Sequence, residues 1–239
     1  MTRAPTALAF VRDRLTPGQR YGLGLTLALV AVGLAFWGFL EIVESWTRNE
    51  DVYRVDGRAA GLAQTAFLTA VSVFHVLTYA GSAWVTVPLV LAAAAGLWRR
   101  GDRPAVLLLV TAFGAGEGLL YGLKALFHRA RPELQLVAEH GHSFPSGHSF
   151  TAALVYGLLA VLAWRWATTP ATRVGLALAC VALALLAGTS RIVLGVHYAT
   201  DVLGGFVLAA RWLAASLAVA RFVAPVEALT DPLPDLSRV

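Results

Sequence analysis

The sequence predicts an all-α, polytopic membrane helix bundle of six transmembrane helices, with an amphipathic interfacial helix between the first and the second. Three observations carry this reading. The 239 residues are 58% hydrophobic and only 14% charged, with a mean hydropathy of +0.68; soluble domains carry about 25% charged residues. Apolar runs approaching the roughly 20 residues that a bilayer demands recur along the chain. Arginines sit singly or in short groups at the ends of those runs, as orientation signals and headgroup contacts do. The net charge of +5 and pI near 9.9 therefore point to a membrane rather than to nucleic acid. One cysteine, Cys180, excludes an intrachain disulfide framework.

Residues 1–20 read as a cytoplasmic tail with Arg3, Arg12, Arg14 and Arg20. No cleavable signal is expected, because the first apolar run starts late and is long enough to stay in the bilayer. Residues 21–223 read as one transmembrane domain, and 224–239, with Pro225, Pro232 and Pro234, as a loose C-terminal tail. The first span is 21–42. Residues 61–80 are long enough to cross. Yet Gln64, Thr65, Thr69, Ser72, His75 and Tyr79 fall largely on one half of a helix, which places the segment at the interface. The remaining spans are 82–98, 104–123, 148–166, 174–188 and 198–222, the short fifth extending through Thr189 and Ser190. Arg99, Arg100 and Arg103 put the loop before the third span on the same side as the N-terminal tail. An odd number of crossings lies between them, and 82–98 supplies one. Arg165 and Arg173 mark the next cytoplasmic loop. On this topology both termini are cytoplasmic.

Three polar clusters then reach the same extracytoplasmic face: Lys124…Arg131-Pro132, Pro145-Ser146-Gly147-His148, and Ser190-Arg191…His197…Asp201. Charges at the bilayer centre cost about 2.5–3.5 kcal/mol each on insertion scales, so these belong at the interface, in a wet cleft or beside a counter-charge. Ser146 is a natural N-cap and Gly147 admits close backbone approach. The helix start behind them favours an anion, toward which His148 points. His197 and Asp201 are one turn apart if the last helix begins near Gly195. A carboxylate on one ring nitrogen fixes the tautomer and leaves the other nitrogen free as a nucleophile. Simple snorkelling, capping or a structural His–Asp pair explains any one cluster alone; three in register point to a phosphate site.

The pattern K-x6-R-P, P-S-G-H, S-R-x5-H-x3-D resembles the type 2 phosphatidic acid phosphatase (PAP2) superfamily, whose members include lipid phosphate phosphatases, glucose-6-phosphatases and vanadium haloperoxidases. All eleven fixed positions match, in order and spacing. The resemblance implies metal-free, cofactor-free phosphoryl transfer in the manner of the membrane lipid phosphatases. In it His197 attacks phosphorus to form a phosphohistidine, and Asp201 orients His197. His148 protonates the leaving oxygen and then activates water. Lys124, Arg131, Ser146, Gly147 and Arg191 hold the phosphate oxygens. Since phosphoryl transfer is mostly positioning and charge stabilisation, these cations replace the usual Mg²⁺.

Other residues carry weaker signals. Glu139, His140 and His142 match no established zinc spacing and read as loop residues. His128 and Arg129 are placed at the mouth of the site or among headgroups. Glu117 lies about 10 Å below Lys124 and Arg211 about 15 Å below Asp201 along their helices, and the two are expected to pair. Gly114, Gly118 and Gly122 suggest a small-residue face for packing inside the bundle. The mixed-charge 44–58 segment and the helix after it are expected to form a lateral gate for a lipid tail.

The function expected is hydrolysis of a membrane lipid phosphate or diphosphate: phosphatidic acid, phosphatidylglycerol phosphate or a polyprenyl diphosphate. A vanadate haloperoxidase and a lipid-binding or transport protein with a relic site are the rivals; six spans speak against the first and the intact residue set against the second. Lys124 is the only lysine in the chain, a compact point charge where arginine would present a planar fork. Lys124→Arg is therefore expected to lose activity despite its conserved charge, measurable as phosphate release.

Overall fold

The computed structural model describes residues 23–223 except Asn49; the expected tails lie outside the described residues. Eight α-helices follow in order: α1 (Leu23–Arg48), α2 (Glu50–Ala66), α3 (Val71–Leu77), α4 (Ala83–Arg99), α5 (Arg103–Phe127), α6 (Gly147–Trp166), α7 (Pro170–Val193) and α8 (Ala199–Val223). Short 3₁₀ turns at Leu68–Ala70 and Thr78–Gly81 flank α3, and the described residues contain no strand.

Local chemistry explains several boundaries. Asp102 caps α5 by accepting from Ala105 N at 3.1 Å, with Pro104 in the first turn, where no donor is lost. At α7 the Thr169 hydroxyl accepts from Thr172 N at 3.2 Å and Pro170 opens the helix. These signals let the short fifth apolar run become a helix of 24 residues. His128 ends α5 in the left-handed region, φ 49°. Arg165 of α6 reaches Asp102 at 3.2 Å, tying two helix ends together.

α6 is the central helix, packed against α7, α8 and α5, while α1 lies along α8 and α4 along α5. Leu97, Leu109, Phe150, Leu154 and Leu158 are buried in the core. Phe144, just before α6, is fully buried, its ring 5.3–5.6 Å from those of Phe39, Trp46 and Phe127. It pins the α5–α6 loop to the bundle. Leu107, Val110, Leu178, Val181 and Leu203 point outward and exposed, an apolar belt that only lipid would cover favourably.

By length and composition α5–α8 are long and apolar enough to cross a bilayer; a bent pair in residues 52–81 makes a fifth crossing if read as one span. α4, with 17 residues, falls short of the roughly 20 expected of a span.

Residues 61–80 differ from the single interfacial helix expected. The chain leaves helical geometry at Phe67 (φ −115°) and Ala70 (φ −107°), and the arms on either side meet at 70°. A straight continuation of α2 would not bring the second arm into the bundle. The bend puts Thr78 against Arg191 (2.7 Å) and lets Ala80 O accept from the Tyr156 hydroxyl (2.9 Å). The glycine face also differs: Gly114, Gly118 and Gly122 meet nothing, whereas a Cβ on Gly116 would stand 2.8 Å from Leu154 and Trp212. Tight packing is thus on the opposite side of α5, toward α6 and α8.

Gly205 is constrained by backbone, because an added Cβ would lie 2.7 Å from the Ser146 backbone oxygen and 3.0 Å from Ser149 Cβ. Backbone cannot yield as a side-chain tip can, so Gly205→Ala is expected to lower thermal stability in detergent by about 1–3 kcal/mol. Gly118→Ala, facing open space, is expected to leave the melting temperature unchanged or raised.

Candidate active site

The α5–α6 loop turns around one end of the bundle and joins the three polar clusters. Leu136 N donates to Leu194 O (3.0 Å), Ser143 N to Arg129 O (2.8 Å) and Ser146 N to Asp201 O (3.0 Å). Lys124, Arg131, Gly147, His148 and His197 line one cavity of about 440 Å³. Ser82, Thr86 and Val87 at the start of α4, Phe113, Glu117 and Tyr121 of α5, and Thr151 of α6 complete its walls. The cavity lies between α4 and α5; neither the 44–58 segment nor the 61–80 segment expected to gate it lines it.

His197 is 2% exposed and sits in the short link before α8, not on the helix as expected. Asp201 still meets it one turn on, Oδ2 standing 3.4 Å from Nδ1. Arg131 Nη1 lies 3.2 Å from the other ring nitrogen, Nε2. A guanidinium only donates, so Nε2 accepts and the ring proton resides on Nδ1, aimed at Asp201. The Nε2 lone pair thereby faces the cavity. Burial pulls the His197 pKa down to about 4, against the opposing pull of Asp201, so the ring is neutral near pH 7.

The cations are already supplied with acceptors by the loop. Lys124 Nζ donates to His142 O (2.8 Å). Arg131 donates to Gly141 O (3.0 Å), His140 O (3.1 Å) and Val196 O (2.8 Å). Arg191 donates to the Glu139 carboxylate, whose other oxygen is 3.7 Å from Arg131. Burial alone would raise the Glu139 pKa, but Arg191 and then Arg131 outweigh it and hold the carboxyl below its usual range. One anion thus already sits on the guanidiniums where a phosphate oxygen would be held.

Three expected contributions differ. Ser146 occupies the N-cap position without a side-chain cap bond; its fully buried hydroxyl accepts from Ser149 at 2.9 Å, behind the cavity wall. Arg191 is 2% exposed and reaches the site from behind. Glu117 and Arg211 do not pair: Glu117 accepts from the Thr151 hydroxyl at 2.6 Å in the cavity, and Arg211 turns toward the Phe39 ring of α1.

Arg129 is the main residue misplaced by sequence reasoning. It does not line the mouth; its side chain is fully buried. Nη1 donates to Asp201 Oδ1 (2.5 Å) and Thr200 Oγ1 (2.8 Å), and Nη2 to Asp56 Oδ2 (2.9 Å). Trp46, Tyr53 and Tyr198 surround the guanidinium at 4.4–5.2 Å. Burial opposes its charge, but Asp201 and Asp56 more than compensate and raise its pKa.

The PAP2 superfamily model matches residues 105–223. Over 134 residues the chain is 36% identical to phosphatidylglycerophosphatase B of Bacillus subtilis (strain 168), covering 55% of this chain and 66% of that protein, just under two thirds of its length. The crystal structure of a transmembrane PAP2-type phosphatidylglycerolphosphate phosphatase from Bacillus subtilis superimposes with a TM-score of 0.74 at 28% identity, over 81% of this chain and 98% of the other. Aquifex aeolicus LpxE follows at 0.53 and 25% identity, over 66% and 92%. The fold agrees with these matches, and the chain belongs to the PAP2 superfamily. It is a multi-pass membrane protein.

Removing Arg129 would strand two buried carboxylates. Arg129→Met is therefore expected to destabilise the fold by about 3–5 kcal/mol, read as a lowered melting temperature in detergent.

Proposed function

We propose that this chain is a membrane lipid phosphatase, a phosphoric monoester hydrolase that acts through a phosphohistidine intermediate. The observation that carries the reading is His197 lining a cavity with its Nε2 3.2 Å from Arg131 Nη1, with Lys124 and His148 on the same walls. A phosphate entering there exchanges its oxygens for the loop acceptors now held by Lys124, Arg131 and Arg191. His197 Nε2 bonds to phosphorus as the ester P–O bond breaks, and His148 gives its proton to the departing oxygen. His148 then takes a proton from water, whose oxygen attacks phosphorus and releases phosphate and free His197. Asp201 holds the Nδ1 proton throughout, and the Gly147 N–H at the start of α6 adds a donor for the non-bridging oxygens.

The cavity's position between α4 and α5 supports a substrate whose tails stay in the bilayer while its phosphate reaches the loop end. The relatives' names support phosphatidylglycerol phosphate first, with phosphatidic acid and polyprenyl diphosphates as alternatives sharing the same chemistry. We read the chain with the six crossings expected from its sequence, both termini in the cytoplasm and the site on the extracytoplasmic face of the plasma membrane. The arginine pattern of the loops supports that orientation.

Purified protein in detergent is expected to release phosphate from a lipid monophosphate panel with chelator present, and to be inhibited by orthovanadate. His197→Ala is expected to lose nearly all of this activity while keeping its melting temperature; full activity in that variant would refute the mechanism. Because buried His197 resists protonation, the acid limb it imposes on kcat/KM is expected near pH 4 rather than near the ~6.5 of a free imidazole.

A further inference from the structure

Asp56 lies in α2, outside the residues that the family model matches, and is 1% exposed. Both of its oxygens are engaged. Oδ2 accepts from Arg129 Nη2 at 2.9 Å and from the Thr200 hydroxyl at 2.6 Å, while Oδ1 accepts from Thr200 N at 3.0 Å. Thr200 immediately precedes Asp201, and Arg129 is the cation that holds Asp201 Oδ1. The carboxylate from α2 therefore grips the carboxylate beside His197 twice, once through backbone and once through the guanidinium.

The charges sharpen the point. Arg129 and Asp201 alone would form a neutral pair, with little field left for the imidazole. With Asp56 sharing the same guanidinium, the three groups sum to one negative charge when both carboxylates are ionised. That surplus faces the ring that becomes cationic as its Nε2 bonds to phosphorus. We infer that Asp56 is a positioning residue of the phosphatase: by competing for Arg129 and anchoring Thr200, it leaves Asp201 oriented and uncancelled toward His197. The inference rests on the phosphatase reading and adds to it a residue on α2, so the bent amphipathic arm completes the machinery rather than merely lying against it.

The groups that face His197 are Asp201 of α8, Arg131 of the α5–α6 loop and Lys124 of α5, with His148 of α6 beside it. Arg191 of α7 and Glu139 stand beyond His148. A change at Asp56 replaces none of these groups and acts on Asp201 through Arg129 and Thr200. Losing the Asp56 charge lets Arg129 cancel Asp201 more fully, which makes the imidazolium less favourable and the ring less basic.

The test compares wild type, Asp56→Asn and Asp56→Glu in detergent, by phosphate release from a lipid monophosphate across pH and by thermal melting. Asp56→Asn is expected to lower kcat about tenfold or more with KM within about twofold, as loss of a transition-state interaction does. It should also move the acid limb of kcat/KM to lower pH by about half a unit or more; the substrate's own titration is common to all three proteins. Asp56→Glu, which keeps the charge, is expected to keep the wild-type limb even if kcat is partly reduced. A wild-type kcat in Asp56→Asn overturns the inference, as does an activity loss that follows the folded fraction with the acid limb unmoved. An inactive wild type overturns the phosphatase reading itself, and the inference with it.

Discussion

A buried guanidinium shared between two carboxylates organises this molecule. Arg129 has no access to water, sits in an aromatic box and binds Asp56 and Asp201 at 2.5–2.9 Å. In a largely apolar bundle such a group is tolerated only because each charge has a partner and each partner has further hydrogen bonds. Arg129 stands on the α5–α6 loop and its partners come from α2 and α8, so forming the cluster brings together segments more than 70 residues apart in sequence. The start of α8, the position of His197 and the course of the loop all follow from where that cluster can be satisfied.

The cavity beside it is the complementary case. Lys124, Arg131 and Arg191 are held by backbone carbonyls of residues 140–142 and by the Glu139 carboxylate. These acceptors hold a dense positive group together, and under the proposed phosphatase function phosphate oxygens would take their place. Phe144 and the contact of Gly205 with Ser146 then fix the loop and the start of α6 to the bundle. Rigid packing beneath an exchangeable polar surface is what precise positioning of a reacting phosphate needs.

Much of this was legible in the chain. Apolar periodicity and arginine placement marked the long helices, because a bilayer imposes length and composition locally. Motif spacing marked Lys124, Arg131, Gly147, His148, His197 and Asp201, because turn geometry and the i, i+4 relation act over a few residues. The Ser146 hydroxyl was placed less well: its capping position was right, but Ser149 and Gly205 decide where it points. Glu117 and Arg211 looked like partners by depth, yet depth along a helix says nothing about azimuth, and α5 turns Glu117 toward the cavity while α8 turns Arg211 toward α1.

The amino-acid sequence by itself determined the helical membrane class, the positions of the apolar runs and the candidate residues that line the cavity, since each follows from local pattern or short spacing. Only the tertiary structure decided the bend at 67–70, the use of Gly116 over its neighbours, and the role of Arg129. Only it brought Asp56 to the cluster that holds Asp201 beside His197. These depend on which distant charge or side chain is available to fill a buried contact, and a linear pattern does not record pairings between residues 56, 129 and 201.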